Sequence, residues 1–80
     1  MNKTLVDFKK CILEYDKMEN KPNMIHPLRI IAQKMYAMGH SYDTLKELDK
    51  EIKEMESKDL TMKKNNLKYL IALKKHFKVI

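Results

Sequence analysis

A small all-α domain is the fold class that this sequence predicts, and three observations predict it. Apolar residues recur at three- and four-residue intervals through most of the chain, one glycine and two prolines are the only strong helix breakers, and those breakers fall between the periodic stretches. The expected architecture is a small bundle of four short helices with a C-terminal helical hairpin, forming a single helical domain over residues 1–80.

Leu5, Phe8, Ile12, Tyr15 and Met18 line one face of a first helix from Thr4 to about Glu19, with Cys11 beside the stripe. Thr4 and Asp7 have the spacing of a capping box with the shorter acid, and Asn20-Lys21-Pro22-Asn23 supplies the stop. Pro27 suits the first turn of a second helix, where its missing N–H costs nothing, and Gly39 suits the left-handed residue that closes it. Leu28, Ile31, Ala32, Met35 and Met38 form the stripe between them, flanked by Ile30 and Tyr36. As the most apolar stretch, this helix is expected to be the most buried.

After Gly39, Thr44 and Glu47 match the capping-box spacing and open a third helix that runs to Glu56. Its apolar positions Leu45, Leu48, Ile52 and Met55 alternate strictly by three and four amid charged residues, a narrow coiled-coil-like seam. So short a seam does not sustain a free coiled coil, so it is expected to pack against the fourth helix. A second subunit is its other use, which makes a homodimer the alternative reading. Ser57-Lys58-Asp59-Leu60-Thr61 reads as a turn, with Asp59 or Thr61 capping a fourth helix from Met62 towards the C-terminus. Projected at about 100° per residue, Met62, Tyr69, Leu70, Leu73, Phe77 and Ile80 face one way, and Lys64, Lys68, Lys75 and Lys78 face the other. Ile71 falls among those lysines rather than in the apolar stripe.

Much chemistry has no foundation in this chain. No run of eighteen apolar residues offers a membrane span, and the opening Met1-Asn2-Lys3-Thr4-Leu5-Val6-Asp7 lacks the apolar centre of a signal peptide, so a cytoplasmic protein is expected. Cys11 is the sole cysteine, which excludes an internal disulfide and a Cys-x-x-Cys zinc pair. His26, His40 and His76 show no His-x-x-x-His spacing, and no glycine-rich loop is present, so no catalytic residue, metal or cofactor is expected. His26 and His40 flank the second helix, where a local hydrogen bond or a surface position is the ordinary role, and Cys11 is expected to be a small buried hydrophobe.

Charge is distributed unevenly. Residues 1–40 carry 7 basic and 4 acidic groups, residues 41–60 carry 4 and 7, and residues 61–80 carry 6 and none. Of the 17 basic residues only Arg29 is not lysine, so bidentate recognition of guanine or phosphate has almost no donor. The acidic third helix would be repelled by phosphate and does not read as a recognition helix. The fourth is a basic amphipathic helix, whose Lys64, Lys68, Ile71, Lys75 and Lys78 form the candidate surface for a partner or for phosphate. Lysines in its last turns also complement the helix dipole, which is their purely structural role.

The Lys-rich, Arg-poor, Met-rich composition resembles that of small accessory proteins of T4-type bacteriophages. The segment Tyr42-Asp43-Thr44-Leu45-Lys46-Glu47-Leu48-Asp49, followed by a turn and the basic Leu67-Lys68-Tyr69-Leu70 stretch, is similar to helical hairpins in several of them. The resemblance implies a protein that binds and redirects another macromolecule during infection, as a lysis-timing accessory protein, an inhibitor of a host function or a companion of recombination machinery. The function expected is therefore non-catalytic regulation of a partner protein by contact. The alternatives are a nucleic-acid-binding accessory protein, with Lys63, Lys64, Lys68, Lys74, Lys75 and Lys78 on phosphates, and a peripheral binder of an anionic membrane surface.

Overall fold

The computed structural model describes residues 2–22, 24–58 and 60–79. Asn23 of the expected stop, the cap candidate Asp59 and Ile80 of the last stripe lie outside them. The chain forms α1 (Lys3–Lys17), α2 (Pro27–Ala37), α3 (Tyr42–Lys46), α4 (Asp49–Lys58), a 3₁₀ turn (Leu60–Lys64) and α5 (Asn66–His76). No strand occurs among the described residues, and the architecture is a small all-α bundle closed by a C-terminal helical hairpin.

The cap of α1 is Asn2, whose side chain accepts from the Thr4 amide at 2.9 Å, two residues before the expected cap. Thr4 and Asp7 do not form a capping box, because Asn2 is the cap and Thr4 already lies within the helix; both are buried. Asp7 instead turns inward and accepts from His40 Nε2 at 2.8 Å, a long-range bond where a local one was expected. At the other end the Lys21 ammonium donates to the carbonyls of Asp16 and Met18, each at 2.8 Å, so orphan carbonyls find a partner and the helix stops at Lys17 rather than Glu19. Phe8, Cys11, Ile12 and Tyr15 are buried at the expected helical spacing. The Cys11 thiol is fully buried and donates to Met38 Sδ at 3.6 Å, and burial pushes its pKa up.

It is α1, not the more apolar α2, that is most buried. α1 packs against both α2 and α5, whereas α2 buries only Pro27, Ile31 and Met35 and leaves Arg29, Gln33 and Tyr36 exposed. Pro27 does occupy the first turn of α2, and the His26 side chain caps it, with Nδ1 accepting from the Leu28 amide at 3.1 Å. Gly39 closes it with φ 98°: the His40 amide donates to Met35 O at 3.1 Å and the Gly39 amide to Tyr36 O at 3.0 Å. α5 ends in the same pattern, Val79 to Lys74 O at 2.9 Å and Lys78 to Lys75 O at 3.4 Å, but its left-handed residue is Lys78, with φ 54°. Side chains pay for this conformation with a Cβ clash against the backbone. A Cβ on Gly39 would meet nothing within 4 Å, so only the backbone opposes it. Gly39→Ala is expected to destabilise by about 1 kcal/mol and Lys78→Gly to stabilise by a similar amount, opposite shifts of roughly 4–8 °C in a thermal melt followed by circular dichroism.

The expected third helix is broken. Ser41 caps α3, its Oγ accepting from the Thr44 amide at 3.2 Å, and the chain tightens at Glu47 and Leu48 through bonds to Thr44 O and Leu45 O at 3.2 and 3.0 Å. These three-residue bonds wind the backbone more tightly and bring Leu48 into the core. The expected fourth helix is also shortened. Leu60–Lys64 winds as a 3₁₀ turn that buries Met62, and α5 starts only after Asn65, whose Oδ1 accepts from the amides of Leu67 and Lys68 at 2.9 and 3.2 Å. An asparagine side chain that satisfies two amides competes with continuation of the helix through its own position. One core results, drawing Phe8, Cys11, Ile12 and Tyr15 from α1, Ile31 and Met35 from α2, Leu48, Met55 and Met62 from the middle, and Tyr69, Leu70, Leu73 and Phe77 from the end.

Candidate interaction surface

α5 returns against α4 through the 3₁₀ turn, and the two helices leave between them an open groove of about 470 Å³. The floor is apolar: Met55 from α4, Met62 from the turn and the half-buried Ala72 from α5. Lys58 stands at the end of α4, and Lys68 and Lys75 stand on α5, one turn either side of Ile71. Ile71 is 48% exposed, so an apolar side chain sits at the lip among three cations.

The expected contact residues divide at this point. Lys68, Ile71 and Lys75 line the groove together. Lys64 ends the 3₁₀ turn and Lys78 follows α5 in the left-handed region; both are exposed and neither lines the groove. The seam residues turn inward, as their spacing predicts for internal packing. Leu48 and Met55 are buried, and Leu45 and Ile52 are half-buried against the core. Leu45, Leu48 and Ile52 also line a smaller pocket of about 190 Å³ against Phe8, Leu28 and Met35. Lys58 carries no signal in the fourth-helix projection because it reaches the groove from α4, and Met62, expected in the apolar stripe of the fourth helix, reaches it from the 3₁₀ turn.

Three lysines outside the groove pair with acids among the described residues. Lys34, Lys63 and Lys74 pair with Glu14, Glu56 and Asp16 at 3.6, 3.8 and 3.2 Å. Lys58, Lys68 and Lys75 have no ion pair among the described residues. His76, which also lines the groove, donates through Nε2 to Glu51 Oε2 at 3.0 Å, and Glu54 completes a set whose ligand atoms lie within 4.8 Å of one another. Two carboxylates and an imidazole suit a divalent transition ion. Sequence spacing carries no sign of this set, because His76 lies on a different helix from the two glutamates.

A buried polar cluster lies beside α5. The fully buried Tyr69 donates its O–H to Glu56 Oε2 at 2.6 Å, and the His26 ring meets Tyr69 edge-on at 4.4 Å between centroids. Burial, with Glu56 second, pushes the Tyr69 phenol far up, so it keeps its proton. Tyr69 is therefore core, while Tyr36 and Tyr42 are exposed. Burial pushes His26 below its ordinary 6.5, and Glu56 opposes this more weakly. A neutral ring is what the cap requires, since Nδ1 accepts a hydrogen bond. The unfolded chain takes up this proton first, so the stabilisation is complete above pH 6.5 and is lost as pH falls through 6.5 towards the lowered folded value. His26→Asn, which keeps a capping oxygen, is expected to show a shallower loss of stability between pH 7.5 and 5.5 than the parent, measured by urea unfolding. Equal pH dependence in the two proteins would remove His26 as the cause.

No protein-family model, curated protein or solved structure matches the chain. No helix among the described residues is long and apolar enough to cross a membrane.

Proposed function

We propose that this chain is a non-catalytic regulatory protein that acts in the cytoplasm by binding a partner protein through the groove between α4 and α5. The single observation behind this reading is Ile71, held half-exposed between Lys68 and Lys75 above a floor of methionines. A phosphate backbone makes no use of the apolar floor beneath Ile71. Partner-protein surfaces combine an apolar centre with a polar rim. The phosphate-binding alternative is weakened because Lys63 and Lys74, two of its six lysines, are engaged by Glu56 and Asp16. The accessory role in phage infection, whether in lysis timing or inhibition of a host function, belongs to the same proposal.

The test is capture of a partner at physiological salt from lysate, with and without nuclease, followed by its identification by mass spectrometry. Lys68→Glu with Lys75→Glu is expected to abolish nuclease-resistant capture while circular dichroism and thermal stability stay close to the parent, because both side chains are exposed. Capture that survives this double reversal, or that disappears with nuclease, defeats the reading.

A further inference from the structure

We infer that the groove between α4 and α5 takes an amphipathic helical segment of the partner, one that carries two acidic residues two turns apart with an apolar residue between them. This rests on the partner-binding reading above and names what the partner must present.

The spacing comes from α5. Lys68, Ile71 and Lys75 stand at i, i+3 and i+7 of one helix, so the two lysine backbones are about 10.5 Å apart along its axis with Ile71 between them. A second helix laid alongside repeats that pattern with acid, apolar and acid residues at the same intervals. An extended strand places same-face residues at multiples of about 6.7 Å, out of step with that backbone spacing, whereas a helix matches it residue for residue. The groove also has depth. Its 470 Å³ lies over Met55 and Met62, whose flexible thioethers adapt to an inserted side chain.

Charge restricts the occupant further. Residues 61–80 contain six basic groups and no acid, so α5 offers an acidic segment nothing but attraction. Lys58 adds a third cation from the α4 side. Glu51 and Glu54, beside His76, repel an acid placed against them, whereas Lys58 and Lys68 have no such carboxylate partner among the described residues. An apolar anchor inserted in a pocket inside a ring of complementary charge is the arrangement of helix-in-groove recognition.

The experiment is selection of binders to the full chain from a helical peptide library randomised at positions i, i+3, i+4 and i+7. Recovered peptides are then measured by fluorescence anisotropy against the parent, Ile71→Ser and Lys68→Gln/Lys75→Gln, each first shown to be folded by circular dichroism. The expected result is enrichment of Asp or Glu flanking Leu, Ile, Met or Phe, with affinity falling about tenfold or more for each variant. Peptides without acidic residues, or acidic peptides indifferent to Ile71→Ser, overturn the inference and leave the partner-binding reading to its own capture test. A random DNA duplex that displaces every selected peptide overturns both. Concentration-dependent self-association that Lys68→Gln/Lys75→Gln abolishes makes a second copy of this chain the occupant and also overturns the inference.

Discussion

Asp7→Ala is expected to lower the unfolding free energy by about 3 kcal/mol, from a total of roughly 4–12 kcal/mol for a domain of this size. The carboxyl is 6% exposed and its partner His40 is 10% exposed, so neither can turn to water when the other is removed. Truncation leaves a buried imidazole N–H without an acceptor, and that loss exceeds what the bond contributes when intact. The bond also ties the residue after Gly39 to the second turn of α1, so α2 loses part of the anchor that fixes where it ends. His40→Ala is expected to cost a similar amount, and Asp7→Ala/His40→Ala less than the sum of the two, by about 1–3 kcal/mol. Urea denaturation of the four proteins at one pH closes the cycle. Additive losses would mean that the two side chains do not act as a pair.

Leu73→Ala is expected to cost about 3 kcal/mol, and Ile71→Ser on the same helix less than about 0.5 kcal/mol. Leu73 is fully buried among core side chains, and alanine there leaves a cavity that the surrounding helices fill only in part. Ile71, two residues away, points across the groove into solvent and supports nothing inside. The contrast fixes the rotational phase of α5, on which the position of the groove depends. Equal destabilisation by the two substitutions would place Ile71 in the core and dissolve the proposed surface.

What the sequence made legible follows distance along the chain. Pro27, Gly39 and the stripe of α1 act within a turn or two of themselves, and each stands where its local chemistry puts it. The break at Glu47 and Leu48 was hidden because it preserves the very signal used to find the helix: Leu45, Leu48, Ile52 and Met55 still face inward on either side of it. Asn65 caps α5 from between Met62 and Tyr69, which keep helical spacing across it, so periodicity does not show the break. Lys68, Ile71 and Lys75 were legible as one face because they share a helix. Lys58 and Met62 join them only by the return of α5 against α4, and Asp7 meets His40 across thirty-three residues. No periodicity in a single segment encodes such meetings.

The burial of Cys11 gives the chain an internal clock. A thiol-reactive dye cannot reach Sγ while α1 lies against α2, and a thiol held protonated by its surroundings is a poor nucleophile. Labelling therefore proceeds through opened molecules, at a rate set by the fraction of time the bundle spends apart. Anything that binds only the closed form reduces that fraction by mass action. Occupancy of the groove between α4 and α5 thus becomes readable as slowed modification of a sulfur that lines no part of it.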